Sequence, residues 1–229
     1  MQVGDLTAPS RAFVCLHGIG GAPSDWASVA GRLSALGEVA CVDVPAGSLA
    51  IARDRVLAQL PATEHVVVVG HSRGGVLALM TAASRPERVT GLILSGGYVP
   101  LNRAERSWII GTGSWVKHRV RLVNRFVRAG HLRGGQSDAT TSLRSSLPVM
   151  VELARVGLRP AAFDQVARAV RCPVLAISGD RDSHVPASWT GGAARRYGWT
   201  LAIIRGGGHF PHTDQPDLWA DAVEEWLAG

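Results

Sequence analysis

Six short apolar runs alternate along the chain with stretches in which apolar residues recur every three or four positions. The runs are Ala12–Leu16, Val39–Val44, Val66–Val69, Val89–Leu94, Pro173–Ser178 and Thr200–Ile204. Their length and β-branched content read as buried strands, and the longer-period stretches read as helices. Helices are expected over Trp26–Leu36, over Leu49–Gln59, and from the end of the third run to Ser84. A last one is expected over Pro216–Leu227, where Leu218, Trp219, Ala222, Val223 and Trp226 share a face. Such alternation predicts an α/β fold with a mostly parallel sheet of about six strands flanked by helices.

The 98–170 segment between the fourth and fifth runs is too long for a simple crossover. Trp115, Val116, Val120, Val123, Phe126 and Val127 fall at helical spacing, with Arg121, Arg125 and Arg128 on another face. Further helices are expected near Pro148 and Ala161. Residues 98–170 are therefore read as a helical lid inserted into a core of 1–97 and 171–229.

Directly after the valine run comes Gly70-His71-Ser72-Arg73-Gly74. A glycine on each side of a serine, between a strand and a helix, is the pattern of a nucleophile elbow. Turning sharply enough to project a hydroxyl from a strand end strains the serine and leaves no room for side chains two residues away. Each group that a serine nucleophile needs has a place at the C-terminal end of an expected strand, where open α/β sheets gather their sites. The base candidate is His209, in a Gly206-Gly207-Gly208-His209 loop after the sixth run. The acid candidates are Asp180 and Asp182, after the fifth. The oxyanion donors would be the Arg73 N–H and one N–H from His17-Gly18-Ile19-Gly20-Gly21.

In these motifs the chain resembles the α/β-hydrolase superfamily, in particular its serine esterases and thioesterases with a short helical lid. The motifs are His-Gly-x-Gly-Gly after the first strand, Gly-His-Ser-x-Gly-Gly, Gly-Asp-x-Asp-x-x-Val-Pro and Gly-His-Phe-Pro-His, in the order Ser, Asp, His. The resemblance covers the chain apart from the lid. It implies that Ser72 is the nucleophile, Asp182 the acid and His209 the base, with Ile19 and Arg73 giving the oxyanion N–H groups. The family's alternative acid position, after the fourth strand, is empty: Ser95, Gly96 and Gly97 carry no carboxylate. Two departures stand out. Residues 1–10 are too few for the usual leading hairpin, so a trimmed N-terminus is expected. Arg73 replaces the usual Leu, Met or Gln, either as a solvated or salt-bridged helix-start residue or as a charge aimed at an anionic substrate.

Composition narrows the remaining choices. With 46% apolar and 18% charged residues over 229 positions, the chain suits one globular domain. Residues 1–10 lack the apolar core of a secretory signal. Cys15, Cys41 and Cys172 fall in or beside strands and read as free thiols, so a cytoplasmic location is expected. No His, Cys or Asp spacing resembles a metal site, and no loop cradles a phosphate ahead of Lys117, the chain's one lysine, so no metal or cofactor is expected.

The formal charge of +6 is uneven: residues 97–171 carry +9 and the rest −3. This arginine-rich lid reads as a solvated face, as a recognition surface for an anionic acyl substrate or an acidic acyl carrier protein, or as a membrane-surface contact. Nucleic acid is not an expected partner, because no stacking platform accompanies the arginines. The expected activity is hydrolysis of an ester or thioester on a small-molecule acyl substrate. The alternatives are lyase or carbon–carbon hydrolase chemistry by the same triad on an anionic small molecule, and a ligand-binding receptor with slow turnover.

Overall fold

The structure, a computed structural model, describes residues 11–45, 48–97, 159–182 and 184–229. Six strands form one sheet: β1 (Arg11–Leu16), β2 (Glu38–Val42), β3 (His65–His71), β4 (Val89–Ser95), β5 (Val174–Gly179) and β6 (Thr200–Ile204). They lie in the order β2-β1-β3-β4-β5-β6, and every pairing is parallel. The chain runs outward from β1 to β2, then crosses back to β3. The carboxyl ends of β1 and β3 therefore flank the point where the winding reverses, the place where such sheets open a crevice.

Alternation along each strand builds two apolar layers. Val14, Leu16, Val66, Val68, Leu92 and Leu94 face α2 (Leu49–Ala58) and α3 (Arg73–Ser84). Phe13, Cys15, Val67, Val69, Ile93, Leu175 and Ile177 face the other way, onto α1 (Ala27–Ser34) and the C-terminal helix Pro216–Ala228. The central strands are buried on both faces, as their unbroken valine and leucine runs require. The edge strands β2 and β6 are partly exposed.

The next described helix, α4 (Pro160–Ala169), begins one residue before the expected start at Ala161. It sets Phe163 and Ala167 into the first layer, and its Asp164 accepts hydrogen bonds from Arg196 and Tyr197 of α5 (Ala187–Tyr197). The end of the 98–170 segment thus packs on the sheet-bearing body. Residues 98–158, with the expected helix near Pro148, and residues 1–10, with the trimmed N-terminus, lie outside the described residues. Among the described residues, no helix is long and apolar enough to cross a membrane.

Close approach explains two of the glycines. A Cβ on Gly70 would strike the Gly74 carbonyl oxygen, and one on Gly74 would strike the carbonyl oxygens of Leu16 and His17. The start of α3 is thereby pressed against the ends of β1 and β3. Gly74→Ala is expected to destabilise the fold by about 1–3 kcal/mol, the range for forcing atoms into a filled interior. Urea unfolding monitored by tryptophan fluorescence measures it. An unchanged midpoint would mean that this approach is looser than the structure gives.

Candidate active site

At the end of β3 the backbone turns through Ser72 with φ 51° and ψ −113°, the one positive φ at a non-glycine among the described residues. The turn is fastened on both sides. The Ser72 N–H donates to the Ser95 carbonyl at 3.1 Å, and the Ser72 carbonyl accepts from the Gly75 N–H at 2.9 Å. Ser72 lines a small cleft together with Gly75, Leu79, Leu94, Phe163 and Trp199 among others. Its walls are mostly apolar.

The loop after β1 runs beside this serine: a Cβ on Gly18 would lie 3.4 Å from the Ser72 Cβ. His17 shapes that loop. Its buried ring donates Nδ1–H to the Gly18 carbonyl at 2.9 Å and accepts the Val44 N–H at Nε2, also at 2.9 Å. These two partners suit a ring protonated at Nδ1, because a carbonyl only accepts and an amide N–H only donates, while the Asp43 carboxylate lies farther from the same Nε2 at 3.4 Å. Ile19 follows, half-buried against the first apolar layer. The Arg73 N–H belongs to the first turn of α3, where amide groups lack partners within the helix.

The arginine's side chain departs from the solvated reading. Arg73 is 2% exposed, and its guanidinium donates to the Pro45 carbonyl at 3.0 Å. It pins the loop after β2 to the start of α3.

His209 and the two aspartates sit on facing loops after β6 and β5. Nδ1–H of His209 donates to Asp182 Oδ2 at 2.9 Å. Asp182 Oδ1 accepts from the backbone N–H groups of His184 and Val185 at 2.8 and 2.9 Å. Burial alone would raise this carboxyl's pKa. The His209 bond, its charge and the two backbone donors outweigh burial and hold the group below its ordinary value. Asp180 acts elsewhere in the loop. Its exposed carboxylate accepts the Gly206 N–H at 2.7 Å and braces the glycine turn that carries His209. Among the described residues no hydrogen bond joins Ser72 Oγ to His209.

Two further histidines underpin this arrangement. His71 is buried and donates Nε2–H to the His209 carbonyl at 2.9 Å. Burial, then the neighbouring His209 and His212, push its pKa well down, so it stays neutral. His212, also fully buried, stacks on Trp26 at 4.3 Å between ring centres. Trp219 Nε1–H donates to Ser95 Oγ at 3.1 Å, leaving the Ser95 hydroxyl to donate to His212 Nδ1 at 3.2 Å. Burial pushes the His212 pKa down to about 3. The motifs alone mark His71 as a packing residue and assign His212 no chemistry. Adjacency to Ser72 and His209 is the one signal in the sequence that points to either.

His184, beside the acid, lies with its ring 4.8 Å from that of His209. Asp182, His184 and His209 each place a potential metal-ligand atom within 4.8 Å of the others. A metal using Asp182 and His209 would compete with their 2.9 Å hydrogen bond, and the arrangement reads as a carboxylate–imidazole pair with a neighbouring ring.

The description "alpha/beta hydrolase family" belongs to the family model that matches residues 13–222. An uncharacterised protein of Mycobacterium tuberculosis is 30% identical, over 97% of this chain and 76% of its own length. A 2-succinyl-6-hydroxy-2,4-cyclohexadiene-1-carboxylate synthase of Salmonella agona is 28% identical, over 98% of this chain and 96% of its own. Among solved structures, a thermophilic esterase from Thermogutta terrifontis shares the fold with a TM-score of 0.76 at 21% identity, over 97% of this chain and 91% of that one.

The buried neutral histidines predict an acid dependence of stability. In the unfolded chain a histidine titrates near ~6.5, whereas folded His212 titrates at about 3. Between those values the unfolded chain binds more protons, so stability falls as pH drops from ~6.5 toward 3. The urea midpoint should fall across that range, and less steeply in His212→Asn. Equal slopes in the two proteins would show that His212 does not carry the effect.

Proposed function

The chain belongs to the alpha/beta hydrolase family, and from that premise we propose that it is a serine hydrolase cleaving an ester or thioester through an acyl-enzyme. The observation that carries the reading is the Asp182–His209 pair. With Nδ1–H committed to the carboxylate at 2.9 Å, the proton-free Nε2 is the ring nitrogen available to a serine hydroxyl. Ser72 Oγ attacks the acyl carbonyl as its proton passes to His209. The oxyanion forms against the N–H groups of Ile19 and Arg73. His209 then protonates the leaving oxygen or sulfur, and water releases the acyl group by the same route. Asp182 stays ionised throughout, holding the tautomer and balancing the imidazolium. The mostly apolar cleft that Ser72 lines suits the acyl chain. The basic 97–171 segment suits an anionic acyl substrate or an acidic acyl carrier protein.

A second reading is favoured by the Salmonella relative, whose name is that of a synthase of a carboxylate-bearing product. In lyase-like or carbon–carbon bond-cleaving chemistry on an anionic small molecule, His209 would move a proton and no acyl group would rest on Ser72.

Two measurements separate these readings. Intact-mass labelling with a fluorophosphonate should give one adduct in the wild type and none in folded Ser72→Ala. Turnover of a dicarboxylate by an unlabelled protein would instead favour the second reading. Asp182→Asn should lower ester kcat by roughly 10³–10⁴, the scale on which a mis-set tautomer acts. Asp180→Asn keeps an acceptor for the Gly206 N–H and should leave kcat nearly unchanged. The reverse ranking would overturn the assignment of the acid.

A further inference from the structure

Cys15 and Cys41 stand directly opposite each other on the parallel strands β1 and β2. Both side chains face the same apolar layer, around Phe13, Trp26 and Leu33. Neighbouring strands lie about 4.8 Å apart, inside the span of roughly 4.4–6.8 Å between Cα atoms that a disulfide bridges. The thiols are free, and each is close enough to the other to shift its titration.

The two sulfurs are unequal. Cys15 is completely buried, whereas Cys41 is half-buried on an edge strand. The neighbouring Cys41 thiol, more than burial, raises the Cys15 thiol well above its usual value. The neighbouring Cys15 in turn draws Cys41 down to about 7, against the opposing effect of burial. Cys41 is thus the sulfur an oxidant can reach, and Cys15 the enclosed partner behind it. Cys172 is pushed up to about 11 by burial and has no such neighbour among the described cysteines.

We propose that Cys15 and Cys41 form a redox-active dithiol that a hydroperoxide closes to a disulfide. The Cys41 thiolate attacks the peroxide oxygen, breaking the O–O bond and leaving a sulfenic acid; with hydrogen peroxide the departing hydroxide takes up a proton as water. The Cys15 sulfur then attacks the Cys41 sulfur. The S–S bond forms, the sulfenic oxygen leaves as a second water, and the Cys15 proton is consumed in making it. Two thiols lose two electrons to one peroxide, so the balance is complete.

The position gives the bond a consequence. Bridged Cβ atoms are held roughly 3.5–4.5 Å apart, so closure ties β2 to β1 by a covalent bond and fixes their spacing at this point. As an edge strand, β2 is held by one ladder alone. Two residues beyond Cys15 is His17, and three beyond Cys41 is Val44, whose N–H donates to the His17 ring. The constraint is therefore set two and three residues from the clamp that shapes Gly18 and Ile19 beside Ser72.

The test treats the whole reduced protein with hydrogen peroxide, alkylates the remaining thiols and maps peptides by mass. A loss of about 2 Da, with a linked Cys15–Cys41 peptide that persists in Cys172→Ser and is absent in Cys41→Ser, is expected. Full alkylation of both residues, irreversible oxidation of Cys41 without a link, or a link through Cys172 would each overturn the dithiol. The wild-type peptide map needs no variant to fold. Fluorophosphonate labelling should slow several-fold in the oxidised protein and recover with dithiothreitol. An unchanged rate with the link formed would overturn the coupling to the loop. This second readout rests on the proposed serine chemistry. No labelling of either form would count against that chemistry, and the peptide map would still decide the dithiol.

Discussion

Ser72 holds a backbone conformation, φ 51° and ψ −113°, that an L-residue adopts at a cost of order 1–3 kcal/mol. A fold keeps such a turn only by over-determining it. The hydrogen bonds to Ser95 and Gly75 fix the residue itself. The packing of Gly70 and Gly74 against neighbouring backbone fixes the strand before it and the helix after it. Both depend on β1, β3 and β4 lying side by side, so the central sheet is the frame that holds the strain. That geometry carries the serine above the strand ends, where loops from β1, β5 and β6 can converge.

The convergence has its own supports. Gly179 passes so close to the Gly207 and Gly208 carbonyls that a side chain there would part the loops carrying Asp182 and His209. Asp180 braces one side of the glycine turn, and His71 holds the His209 carbonyl from below. The layer beneath, with His212, Trp26, Trp219 and Ser95, is polar at few atoms and closed to solvent. Neutral imidazoles suit it, since each ties one ring nitrogen to a neighbour, His71 to the His209 carbonyl and His212 to Ser95, without a charge to bury. The supports for a charge-handling pair are thus themselves uncharged.

Much of this is legible in the residues. Uninterrupted Val66–Val69 and Val89–Leu94 announce strands buried on both faces, and the glycine spacing around Ser72 announces the elbow. Other features depend on tertiary contacts. Asp180 and Asp182 differ by two positions in one turn, and only the fold shows which meets His209 and which meets Gly206. Arg73 reads in the sequence as a solvated or salt-bridged helix-start residue or as a substrate-facing charge, since arginine is seldom enclosed. The Pro45 carbonyl that receives it comes from a distant loop. The helix Ala187–Tyr197 leaves no clear mark in the sequence: Gly191 and Gly192 weaken its local preference, and burial of Thr190, Gly191 and Ala194 supplies what propensity does not. The pairing of Cys15 with Cys41 needs the β1–β2 register, which no periodicity in either strand encodes.

The serine-hydrolase reading of the site requires Ser72 to carry an acyl group in the course of turnover. Rapid-quench mass spectrometry with a short-chain nitrophenyl ester reads that directly. The expected result is a burst approaching one equivalent of nitrophenol, with the matching acyl mass on the peptide containing Ser72. Turnover with neither burst nor adduct, or an adduct on another residue, would contradict it.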